Sequence, residues 1–234
     1  MIRLTTVLLL LVGLLPGAAQ ADFVRSNLRF TLYHELGHAV IDLAGVDRFG
    51  MEENAADSFA LVLADRLHDE NAFRAIITDM TALSRLAAEE ELFDPWDEYM
   101  PEAQRLARAI CLYYGLNPAV RRDTARALGM EPRSEEICAE HGVAIRAAWG
   151  PILDDLAPEP GAAPVRTLRP ARFGKALRLL AKDIERINTM LVLPERVDVE
   201  TEDCGEDNAY YFRDDRRIVF CIEMLGALRR DARR

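Results

Sequence analysis

The sequence predicts an α+β fold that is mostly helical and carries one small antiparallel sheet or hairpin. Two observations support this. Apolar residues recur at helical spacing through most of the chain up to Met190, and the alternation typical of strands gathers in one late stretch between Val197 and Cys221. The chain has 234 residues, half of them apolar, enough for one or two globular domains with a real core.

The elements follow in order. Arg3, an apolar run over 4–15, the breakers Pro16 and Gly17, and Ala19-Gln20-Ala21 have the layout of a secretory signal peptide over 1–21, cleaved near Ala21. A membrane anchor is the rival, but the run is well short of the roughly 20 residues needed to span a bilayer. Phe30, Tyr33, Gly37, Val40, Ile41 and Ala44 share one face of a first helix, which Gly45 ends. After a short reversal, a second helix from about Met51 turns Ala55, Phe59, Val62, Leu63 and Leu67 inward, so the two are neighbours. Further helices are expected over 72–91, 102–114, 118–128 and 134–156. Four prolines and Gly161 in 157–170 forbid a continuous helix, and this stretch reads as a surface linker. A last helix over 173–190 precedes strands at 197–199, 209–212 and 217–221, with Asp214-Asp215 at the turn. The helical region 22–156 and the segment 171–234 are expected to complete one domain, with 229–234 as a solvated tail.

A net charge of −10 disfavours nucleic acid as a partner, because a phosphate surface needs a positive field. Signal-peptide removal would leave no stable membrane anchor, and a secreted or periplasmic location. All four cysteines lie in the exported part. Their even number and the lack of any CxxC spacing favour disulfides over metal ligation, with nearest neighbours joined: Cys111 with Cys138, and Cys204 with Cys221.

The chemistry centres on His34-Glu35-Leu36-Gly37-His38. Positions i and i+4 of a helix share a face, so both imidazoles can address one ion, with the Glu35 carboxylate beside them. A catalytic zinc site uses three protein ligands and leaves the fourth position for water. Glu53, at the start of the second helix, is assigned as the third ligand. Asp57, one turn on, is assigned as acceptor for a ring N–H of a ligand histidine, and it is also an alternative ligand. Glu52 is expected to point elsewhere. With Zn²⁺ bound, Glu35 would serve as general base for peptide hydrolysis by metal-activated water. Tyr99, His141, Tyr210 and Tyr211 are candidates for stabilising the oxyanion, though each residue type is more often structural. His68 reads as a helix-end histidine.

The segments FTLYHELGHAVIDLAGVDRFGMEENAADSFALVLAD, DEYMPEAQRLARAICLYYGLNP and CGEDNAYYFRDDRRIVFC together cover about a third of the chain. They resemble an uncharacterised family of exported bacterial proteins described as zinc metallopeptidases, gluzincin-like members of the zincins. The resemblance implies a zincin-like metallopeptidase fold, metal ligands at His34, His38 and Glu53, a catalytic Glu35, and a peptide or protein substrate. There are two departures. The family usually has His where Tyr99 stands, and its Cys-Gly-Glu hairpin ordinarily precedes the HExxH helix. The second implies a circular permutation joined at 157–170.

Pairing about Asp214-Asp215 sets Tyr211 opposite Ile218, Ala209 opposite Phe220 and Asn208 opposite Cys221, so a Cys204–Cys221 bridge requires 205–207 to fold back. The hairpin either lines the rim of a substrate cleft, where an extended peptide can add to its edge, or simply caps the core. The alternative to an enzyme is a peptide- or protein-binding module on a zincin scaffold that does not cut.

Overall fold

The computed structural model describes residues 16–234 apart from 48, 49, 93, 97–99, 162, 164 and 173. The apolar run assigned to the signal peptide therefore lies outside the described residues. Helix α1 spans Pro16–Leu43, so 16–21 join it as its first turns, with proline where a missing N–H costs nothing. Six further helices agree with the pattern: α2 Glu52–Leu67, α3 Glu70–Glu90, α4 Glu102–Leu116, α5 Pro118–Ala127, α6 Glu135–Asp155 and α7 Lys175–Met190.

One face of α1 was expected to be apolar, but apart from His38 every residue over 32–41 is buried. The reason is that α1 is the central helix: α2, α3, α7, α8, β3 and β4 all pack on it. Here α8 is Ile222–Asp231, a helix where a solvated tail was expected from 229 onward, and its Met224, Leu225 and Leu228 are buried.

Leu168–Arg172 forms strand β1, so the last residues of the supposed linker belong to the sheet. It is joined by β2 (Val197–Glu202), β3 (Ala209–Phe212) and β4 (Arg217–Cys221) in the order β1-β2-β4-β3. The β3–β4 pair is the antiparallel hairpin in the expected register, with Tyr211 opposite Ile218 and Ala209 opposite Phe220. The other two pairs, β1 with β2 and β2 with β4, are parallel, so the sheet is mixed. α7 makes the crossover between β1 and β2, as parallel neighbours require.

Both expected disulfides form. Cys204 reaches Cys221 from β2: Glu202 at the end of that strand is the register partner of Cys221, so the bridge lies just past paired strand ends. Cys111–Cys138 ties α4 to α6. Within one helical turn of it, an added Cβ at Gly142 would lie 2.1 Å from the carbonyl carbon of Gly115, so the two backbones touch.

Candidate metal centre

Gly37 decides how the site is assembled. An added Cβ there would meet the Ala56 Cα at 3.0 Å and its carbonyl oxygen at 3.2 Å, so glycine lets α2 lie directly against the HExxH turn of α1. That approach carries the first turn of α2 to the two imidazoles. His34 Nε2 lies 3.0 Å from Glu53 Oε2, His38 Nε2 lies 3.3 Å from Glu53 Oε1, and the two Nε2 atoms are 3.2 Å apart. A tetrahedral zinc with bonds of about 2.0–2.1 Å has ligand–ligand edges of about 3.3 Å. The two nitrogens and one carboxylate therefore fit a divalent cation in both donor type and spacing.

The other nitrogen of each ring is also taken. His34 Nδ1 lies 2.8 Å from Asp57 Oδ1, and His38 Nδ1 lies 2.8 Å from Glu52 Oε1. A carboxylate only accepts, so each Nδ1 carries the hydrogen and each Nε2 is turned inward. Asp57 thus sits where an acceptor was expected. Glu52 does not point elsewhere: it is the matching acceptor for His38.

Each acid is in turn held by an arginine that the sequence did not single out. Arg105 of α4 grips Asp57 with two hydrogen bonds, Nε to Oδ2 at 2.6 Å and an amino group to Oδ1 at 2.7 Å. Arg213, in the turn between β3 and β4, donates to both oxygens of Glu52. Neither arginine has a local sequence signal, since 48 and 161 positions separate them from their acids.

The electrostatics favour a cation at the centre. Burial pushes His34 down, yet hydrogen bonds to Asp57 and Glu53 outweigh it and hold the imidazole up at about 9. Glu53 feels burial in the opposite sense, but the two histidines hold it at about 2. For Asp57 too burial is overcome, by Arg105 and then His34, and its carboxyl stays well below the usual range. Glu35 is the contrast: burial raises it, and the nearby imidazoles only moderate that rise. Without a cation this acidic shell draws a proton onto an imidazole instead.

The remaining candidates separate. Tyr99 lies outside the described residues. His141 is exposed on α6, lining a cavity of about 370 Å³ between α2, α4 and α6. Tyr210 stands on β3, its hydroxyl raised chiefly by Glu206 and burial and, more weakly, by the charge of Glu35. Tyr211 instead donates to Asp42 Oδ2 at 2.9 Å. His68 follows the last turn of α2, as expected, 2.7 Å from the Tyr33 hydroxyl. A second cavity, of about 280 Å³, is lined by Thr31 on α1, Asp57, Arg105 and Asn208 just before β3.

No curated protein and no solved structure matches this chain. A family model described as "putative metallopeptidase" matches residues 17–153 and 171–234, leaving the proline-rich stretch between them unmatched. With nearly the whole described chain covered, the protein belongs to this putative metallopeptidase family.

Proposed function

We propose that the protein is an exported zinc-dependent peptidase that cleaves peptide bonds without a covalent intermediate. The observation that carries this reading is the convergence of His34 Nε2, His38 Nε2 and the Glu53 carboxylate at 3.0–3.3 Å, with both Nδ1 atoms already committed to acids. His34, His38 and Glu53 would hold the ion. Zinc, when bound, supplies an acidified water and polarises a substrate carbonyl.

The protein's own residues supply the rest. Glu35 is buried and its pKa is raised, which suits a carboxylate that takes a proton during attack and returns it to the leaving amine. Asp57 and Glu52 fix the ring tautomers, so the ligand nitrogens need no reorientation. Among the described residues strand β3 pairs with β4 alone and packs on α1, which leaves a strand edge beside the HExxH helix for an extended peptide. The two disulfides support an oxidising compartment outside the cytosol. Among the described residues no helix is long and apolar enough to cross a membrane.

Metal analysis and one substitution test the proposal. The purified protein is expected to carry close to one equivalent of zinc and to cleave members of a peptide library. Glu35→Gln should keep the zinc and lose at least about 100-fold in turnover, the usual scale of a general base. Cleavage undiminished in that variant, with zinc retained, would refute the hydrolytic role of Glu35.

A further inference from the structure

The two imidazoles are held by matching chains of three groups. His34 leans on Asp57 and Asp57 on Arg105; His38 leans on Glu52 and Glu52 on Arg213. The first chain ends on α4 and the second on the β3–β4 turn, so the arginines that end the two chains come from elements that supply none of the ligands. The hairpin's anchorage is continuous. Tyr211 and Arg213 both reach Asp42 on α1, at 2.9 and 3.7 Å, while β4 is paired to β2 and bridged to Cys204.

We propose that Arg213 is a positioning residue of the metal centre, acting through Glu52 on His38, so that the hairpin sets metal affinity as well as lining the cleft. This rests on the zinc reading above. The physics is direct. Glu52 is only 13 % exposed, and its carboxylate must keep one oxygen turned to His38 for the ring to stay aimed. One amino group of Arg213 donates to both Glu52 oxygens while the other lies 3.7 Å from Asp42 on α1, so the guanidinium bridges the two acids and leaves Oε1 aimed at Nδ1. An imidazole whose Nδ1–H is held by a charged acceptor is a stronger and better-aimed donor at Nε2. Arg105 plays the same part for His34, but it is more buried and also neutralises Asp57, so its removal would mix folding with affinity. Arg213 is 46 % exposed and offers the cleaner test.

The experiment measures zinc affinity of the full chain by competition with a chromogenic chelator, alongside the melting temperature of the metal-free protein. Arg213→Gln should weaken zinc binding by about 10-fold or more, the usual scale for losing such a supporting contact, with little change in the metal-free melting temperature. Arg213→Lys, which keeps the charge but has a single nitrogen that cannot bridge Glu52 and Asp42 together, should fall between wild type and Arg213→Gln. If Arg213 acts through Glu52, adding Arg213→Gln to Glu52→Gln should cost nothing further. Wild-type affinity in Arg213→Gln, or losses that add in full in the double variant, would overturn the proposal. A wild-type protein that binds no zinc would bring down the metal reading itself, and that arm is read before any variant is made.

Discussion

At the scale of single residues, the legible part of the site was the part built on helix periodicity. His34, His38, Glu53 and Asp57 follow from i,i+4 spacing on two adjacent helices, and the donor atoms meet as that spacing implies. Glu52 was misread for a specific reason. An imidazole presents two nitrogens on opposite sides, so an acid one position off the metal-facing stripe can still reach the outer one. Arg105 and Arg213 could not be found at all, because their partners are tertiary. His68 shows a further effect of surroundings on one side chain. The Arg186 guanidinium donates to its Nδ1 at 3.2 Å, leaving Nε2–H for the Tyr33 oxygen. Burial, then Arg29 and Arg186, lower its pKa to about 4. A histidine depressed in the fold takes its proton more readily when unfolded, so His68 contributes stability that is full above about pH 6.5 and is lost as pH falls toward about 4. Urea unfolding across that window should show the slope in wild type and a shallower one in His68→Gln. A folded-state titration of the His68 ring near 6.5 by NMR would contradict this.

At the scale of elements, close backbone contact explains two glycine positions that periodicity alone did not. Cys111 and Gly115 on α4, and Cys138 and Gly142 on α6, form two stripes of the same spacing. The stripes face each other, with the disulfide at one end and touching backbones at the other. Gly142→Ala would put its Cβ 2.1–2.6 Å from Gly115 backbone atoms, which cannot swing aside as a flexible side chain can. A loss of about 3 kcal/mol or more is expected by chemical denaturation, since overpacking here must separate two helices. Wild-type stability in that variant would show that the helices can part freely. Strand β1 was missed because its sequence, LRPAR, is short, polar and interrupted by proline, all of which an edge position tolerates. Parallel pairing with β2 left no hairpin signal to read. The C-terminal helix has a weak signal of its own because its apolar stripe, Met224, Leu225 and Leu228, is short and runs into the charged Arg229 and Arg230.

At the scale of the whole molecule, the helical region and the late α/β segment are expected to act as one folding unit joined by a replaceable tether. α1 is common to both: it packs on α2 and α3 of the helical region and on α7, α8, β3 and β4 of the late segment. Polar ties cross the same boundary, Arg29 to Asp183 at 2.8 Å and Arg213 to Glu52. By contrast, the residues described between Glu159 and Arg166 are exposed, and the family model skips the whole stretch from 154 to 170. A loop that contributes little to the core affects stability mainly through chain entropy, while the buried interface holds the halves together. Inserting a specific protease site after Gly161 and cutting there should therefore leave two fragments that co-elute on size exclusion and still bind zinc, because Arg213 stays joined to His38 through Glu52. Separation of the fragments under native conditions, or loss of zinc on cutting alone, would mean that the tether is part of what holds the centre together.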